Sequence, residues 1–363
     1  MRNGPAPASK ASLKFRMKTK VPLNGQARAE HGQRSESQRL LQTKVEGNQF
    51  DVNSQEFKSS VSRATLLASK NGLINYDELP LPWRINIYIR TGYRFTHSIF
   101  STALSPLCLS NELVNIWTHL IPVFLILRYP LHLNPPFETF RDGGLGRQTD
   151  AFVAITYCAT AALSLVCSTA WHTFRCSSRL RVMAAFVCVD IMSVSLILTA
   201  FNILVIHTLF YARSRLREIY IFSSLLWCLA GVVLPWTNLF RPVEIAPLVV
   251  HAAKNWPLSR GWNRVIFFCG LGGQGQVIPA LHSAYVNGWA YTSAIYVHAI
   301  PVVLPIFLGS LLYGSKFPER VWPGRFDYIG CSHNMWHVAT AISALAGCWG
   351  MLGMFEVAWG RSA

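Results

Sequence analysis

The chain has 363 residues, 51% of them hydrophobic and only 14% charged, with a mean hydropathy of +0.28. That is too apolar for an ordinary soluble protein of this length, so most of the chain is expected to face lipid or other apolar helices. The formal net charge is +16, but the basic residues crowd into the N-terminal segment and the connections between apolar runs. This argues against nucleic acid as the partner and fits attraction to the anionic lipids of an inner leaflet. Six of the nine cysteines (Cys158, Cys167, Cys188, Cys228, Cys269 and Cys348) sit inside apolar runs and no CxxC occurs. Small buried thiols are therefore expected rather than a disulfide framework or a thiolate metal site.

The opening MRNGPAPASKASLKFRMKTK is polar and basic throughout and lacks the apolar core of a signal peptide. Its richness in Arg, Lys and Ser also fits an organellar transit peptide, but the simpler expectation is a disordered basic cytosolic tail over residues 1–81. A weak amphipathic pattern from Phe57 to Ala68 marks room for one short helix in it. Residues 82–107 are expected to form a juxtamembrane segment. There LPLPWRINIYIRTGY interleaves Trp83, Ile85, Ile87, Tyr88 and Ile89 with Arg84, Arg90 and Arg94. That mixture predicts an interfacial helix among lipid headgroups.

Residues 108–363 carry apolar runs near 112–129, 150–172, 181–207, 217–237, 264–286, 291–313 and 330–353. At about 1.5 Å per residue each can cross a hydrocarbon core of roughly 30 Å. The predicted fold is thus all-α, a seven-transmembrane helix bundle, with Pro122, Pro279, Pro301 and Pro305 inside runs where neighbouring helices can re-satisfy the freed carbonyls. The basic tail and the connections bearing Arg175, Arg179 and Arg181, then Arg241, Lys254 and Arg260, then Lys316, Arg320 and Arg325, fall on one side. The connection with Arg213, Arg215 and Arg217 dissents. The sum predicts a multi-pass protein with its N-terminus cytosolic and its C-terminus extracellular or lumenal.

With that topology the second run ends at His172 on the inner face, the third places Asp190 about two turns deep, and the seventh begins with SHNMWH. His333 and His337 are four residues apart, so both imidazoles lie on one helix face with Cβ atoms about 5–6 Å apart. That is ligand spacing for Zn2+. His172 would complete a three-histidine site whose fourth position is open to water, the pattern of catalytic zinc. A histidine near a span end is more often an interfacial or hydrogen-bonded group, so spacing alone leaves both readings open. Asp190 adds weight, because a carboxylate within a span costs about 2.5–3.5 kcal/mol and needs a partner or a function. Ser168, one turn before His172, fits either a donor to the site or a packing residue.

At these residues the sequence resembles the progestin and adipoQ receptor family, also called haemolysin III-related or adiponectin-receptor-like proteins, and in particular its fungal-type members. SNELVNIWTHL, the run STAWHTF from Ser168 to Phe174, Asp190 and FPERVWPGRFDYIGCSHNMWH carry the match, in family order. The resemblance implies a seven-helix bundle with an inside N-terminus and a zinc ion held by His172, His333 and His337, with Asp190 and Ser168 near the zinc-bound water. Two departures stand out. Asp190 is followed by IMSVS in place of the family's Tyr-x-Gly-Ile-like run, and Asn334 replaces a glutamine. Asn111, Glu112, Asn115 and His119 match the first-span motif, where Glu112 most simply pairs with an arginine of the juxtamembrane helix. GLGGQG, Gly270 to Gly275, is read as close helix packing rather than a phosphate loop.

Three functions are compatible with the resemblance. One is a zinc-dependent hydrolase of a lipid amide such as ceramide, with Asp190 and Ser168 as catalytic groups and membrane lipids supplying the substrate. Another is a non-catalytic receptor in which zinc is structural and an extracellular or lipid ligand shifts the bundle. The last is a regulator of zinc or sterol homeostasis, a role ascribed to fungal-type relatives.

Overall fold

The computed structural model describes residues 53–132, 145–237 and 260–360. The tail before residue 53, and the connection bearing Arg241 and Lys254, lie outside the described residues. Helix α1, Gln55–Asn71, is capped by Ser54, whose hydroxyl accepts from the Phe57 N–H, and ends at Gly72, whose φ of 79° suits a residue without a Cβ. Ala64 and Ala68 on its inner face are buried with Ile74, Leu79 and Trp83 in one cluster that includes Trp171 and Met183. Helix α1 stands where the amphipathic pattern from Phe57 to Ala68 left room for one, and the turn Tyr76–Glu78 follows it.

The predicted interfacial helix at Leu81–Arg94 is corrected. After the turn Leu81–Trp83 the chain has no α-helix until residue 99, and it pairs Ile74 with Tyr93 in an isolated antiparallel bridge. The reason lies in what the side chains bury. Trp83, Ile89, Tyr93 and Phe95 all point into the protein cluster, and Arg84 binds the carbonyls of Leu79 and Asp77 at 2.7 and 2.6 Å rather than headgroups.

Short helix α2, Ile99–Ala103, leads to the seven longer helices found among the described residues: α3, Leu113–His132; α4, Leu145–Phe174; α5, Leu180–Leu209; α6, Ser214–Val233; α7, Arg260–Asn287; α8, Trp289–Ser315; and α9, Ser332–Gly360. They coincide with the seven apolar runs. Five of them, α4, α5, α6, α8 and α9, are long and apolar enough to cross a membrane. Helix α3 is a shorter apolar helix over Leu113–Arg128, and the Gly, Gln and Arg content of α7 keeps it out of the apolar set. The described residues contain no β-strand beyond two isolated bridges.

Helix α5 is central, packing against α4, α6, α7, α8 and α9. Of residues 199–209 all but Ile203 are buried, as a helix apolar on every side must be inside a bundle. Tyr157, Phe201, Leu204, Phe210, Met351 and Phe355 fill the core around it. On the outside the pattern inverts: Phe124, Phe152, Phe222 and Val297 are exposed, which is stable only where the surrounding medium is hydrocarbon. GLGGQG lies inside α7. A Cβ at Gly275 would collide with the Asn202 amide, so close packing explains that glycine, whereas Gly272 and Gly273 face open space along an internal cavity.

Candidate metal centre

Two helix ends bring His172, His333 and His337 together. His172 lies in the last turn of α4 and the other two in the first two turns of α9. The start of α9 is fixed by Glu319, fully buried, which accepts from the Ser332 N–H at 2.7 Å and from the Ser332 hydroxyl. Asn334 accepts from the Cys331 N–H, and Asp327 accepts from the N–H groups of Arg90 and Thr91 at 2.9 Å each. The acids of FPERVWPGRFDYIGCSHNMWH thus act as clamps that set where the two histidines begin. Cys331 lies just before α9, and burial pushes its thiol up to about 11, so it is a neutral packing group.

The three rings are mutual neighbours, with centroids 5.0 Å apart for His172 and His333, 4.5 Å for His172 and His337, and 4.7 Å for His333 and His337. One nitrogen from each lies within 4.8 Å of the others, and the Nε2 atoms of His172 and His333 are 3.3 Å apart. Hydrogen bonding decides the tautomers. His172 Nδ1 is 2.6 Å from Glu112 Oε2, and His337 Nδ1 is 3.1 Å from the Asn115 carbonyl. Both acceptors require a proton on Nδ1, which leaves each Nε2 with a lone pair directed at the cluster. Unprotonated nitrogens turned toward one another repel unless a cation or a proton lies between them. This donor set therefore fits a divalent metal held by three neutral imidazoles, with a carboxylate and a carbonyl behind the ligands.

Glu112, one residue ahead of α3, binds more than His172. Its Oε1 is 2.5 Å from the Arg175 guanidinium and its Oε2 accepts from Asn115 Nδ2 at 3.0 Å. Burial pushes the Glu112 carboxyl up, but Arg175 and the bonds from His172 and Asn115 outweigh burial and hold it below the usual carboxylate range. Asn115 also accepts from Asn334 Nδ2 at 2.7 Å, and His119 stacks on His337 with ring centroids 3.9 Å apart.

Ser168 on α4 and Asp190 on α5 are both turned to the interior of the helices. They line a cavity of about 460 Å³ together with His333 and His337, and neither joins the three-histidine cluster. Apolar side chains of α5, α7 and α8 form much of its wall, and Arg264 and Tyr313 add polar groups.

Sequence reasoning placed the three histidines, Asp190 and Ser168, and the structure brings all five to one end of the helices. It underread α3. Glu112 pairs with Arg175 of the α4 end, not with a juxtamembrane arginine, and Asn115 and His119 had no assigned role. Their spacing of i, i+3 and i+7 marks one helix face, a signal available without the structure. Arg264, which lines the cavity with Asp190, stands at the first position of the fifth apolar run.

The profile of the family described as "Haemolysin-III related" matches residues 107–348. An uncharacterised protein of Schizosaccharomyces pombe is 30% identical over 287 residues, covering 79% of this chain and 60% of its own length. "Progestin and adipoQ receptor family member 3" of Mus musculus is 28% identical over 279 residues, covering 74% of this chain and 82% of that protein. "Heptahelical transmembrane protein 3" of Arabidopsis thaliana is 28% identical over 312 residues, covering 76% and 85%.

Proposed function

From the premise that this chain belongs to the haemolysin-III-related family, we propose that it is a seven-span membrane protein whose three histidines hold Zn2+ and which hydrolyses a lipid amide of the ceramide type. The observation that carries this reading is the cluster of three imidazoles, two of which, His333 and His337, line a cavity shared with Asp190 and Ser168. The five apolar helices and the name of the plant relative support seven spans, with α3 and α7 as the remaining two. The N-terminus is placed in the cytosol by the basic residues, where the tail meets anionic lipids of the inner leaflet. Terminal tags reached from the same side would rule this topology out.

When bound, zinc would supply Lewis-acid polarisation of the amide carbonyl and activation of water at neutral pH. The remaining work falls to the chain. His172, His333 and His337 would hold the metal through one ring nitrogen each, and Glu112 and Asn115 hold two of those rings in the required tautomer. A carboxylate oxygen of Asp190 takes the proton from the attacking water and returns it to the amine as the C–N bond breaks, yielding a fatty acid and an amine. Ser168 orients that carboxylate, and the apolar wall receives the acyl chain.

The test is fatty-acid release from ceramide by the purified full chain in lipid nanodiscs. Release should stop with a chelator and return with zinc, and Asp190→Asn should keep the metal but lose about 10²–10⁴-fold of the rate. Metal-bound protein that releases nothing would favour the second reading, a receptor with structural zinc; the murine relative is named as a receptor family member. Unaltered release per bound zinc in Asp190→Asn would remove Asp190 from the mechanism.

A further inference from the structure

We propose that residues 99–109, which include α2 and the turn Ser105–Leu107, form an interfacial anchor seated among the headgroups and upper acyl chains of the bilayer. The segment is built inside out. Ile99, Phe100, Leu107 and Leu109 are 55, 75, 76 and 68% exposed, while Thr102, Ser105 and the adjoining Ser110 are at most 2% exposed. In water that arrangement would be the wrong way round, since burying the apolar set is what stabilises a surface helix.

The polar side cannot turn outward because it is tied down. Arg94 donates to the Ser101 carbonyl at 2.8 Å and to the Ser105 hydroxyl, and that hydroxyl lies 3.3 Å from Cys176 Sγ just beyond α4. Thr96 exchanges backbone hydrogen bonds with Cys176 and Ser178 on the same stretch. With its inner face held in this way, the segment presents a fixed apolar face.

Two observations identify the occupant as phospholipid. The exposed face runs on into the outward side of α3, where Trp117, Ile121, Phe124 and Leu125 are also exposed on an apolar helix. A tryptophan marks the same level. Trp117 Nε1 donates to the Pro106 carbonyl at 2.8 Å, which sets the segment level with the first turn of α3. Tryptophan at that level is itself typical of a membrane interface. The segment leads directly to Glu112, so the seating of the anchor and the carboxylate behind His172 share one stretch of backbone.

The experiment places the photocrosslinker p-benzoylphenylalanine at position 107, and separately at position 100, in the full chain reconstituted into phosphatidylcholine liposomes. Ser59, exposed on the outer face of α1, is the control position, and adducts are identified by mass spectrometry. Lipid adducts at 107 and 100 should exceed those at 59 by about tenfold or more. Adducts instead to residues 1–52, or to a second copy of the chain, would overturn the proposal, as would lipid yields no higher than at 59. The second position keeps the test decisive if either substituted chain fails to insert.

Discussion

Opposite ends of α4, α5 and α9 each bury a histidine against a carboxylate, yet their chemistry differs. At one end Glu112 holds His172; at the other, some 22 residues or about 33 Å along α4, Asp150 lies 2.7 Å from His207 Nε2. Asp150 also accepts from the Tyr211 hydroxyl and from Trp359 Nε1, each at 2.8 Å. That second cluster ties the N-terminal part of α4 to the C-terminal ends of α5 and α9, and both lone-pair-bearing oxygens of its carboxylate are engaged. Among the described residues no further histidine, cysteine or acid joins it to make a metal-competent group. At the Glu112 end the carboxylate takes one nitrogen of His172 and leaves the other facing two more imidazoles. A buried carboxylate–histidine pair is thus a positioning device in both places. What makes one of them a candidate metal centre is the number of lone pairs left over.

The sharpest way to break this comparison is to remove a ligand. His337→Ala and His333→Ala should each lower bound zinc from about one per chain to a small fraction, because two imidazoles make a weak site. His207→Ala should leave metal content unchanged. Elemental analysis of the purified proteins reads all three, and full zinc retention in both α9 variants would dissolve the site.

A smaller effect is expected behind the ligands. Glu112→Ala should weaken zinc binding by about 10–100-fold, since His172 loses the acceptor that fixes its tautomer and Arg175 loses its partner. Competition with a chromophoric chelator measures this, and Glu112→Gln, which can still accept from Nδ1, should recover part of the loss. Equal affinity in wild type and Glu112→Ala would reduce Glu112 to an ion-pair residue.

The smallest effect belongs to the other end. Asp150→Asn keeps an acceptor for Tyr211 or Trp359 but gives up the charge facing His207, at an expected cost of about 1–3 kcal/mol in stability. Thermal unfolding in detergent should show a lower Tm at unchanged zinc content. A loss of metal in this variant would mean that the two ends are coupled through the helices.

Much of this molecule was legible before any coordinates. Apolar runs of about 20 residues report helices because backbone groups in lipid must be satisfied within the segment itself. For that reason the runs and the helices α3 to α9 coincide within a few residues. His333 and His337 were legible as a pair because four residues bring side chains onto one helix face, and Asp190 because a charge in an apolar run is expensive. Less legible was the stretch before α3. Trp83, Arg84, Ile89 and Arg94 have the composition of an interfacial helix, and nothing local says that the rings go into a protein cluster while the real apolar outer face lies at Ile99, Phe100, Leu107 and Leu109.

Sequence alone determined the helical class, the positions of the apolar helices and which residue types could bind metal, since these depend on local hydrogen bonding, periodicity and side-chain chemistry. Only the tertiary structure decided that Glu112 reaches His172 across 60 residues, that Asn115 accepts from His337 Nδ1, and that Asp150 closes on His207 with no further metal-competent group beside it among the described residues. These are contacts between helices. They depend on how α3, α4, α5 and α9 pack and rotate against one another, and that packing is a sum over many side chains that no single motif encodes.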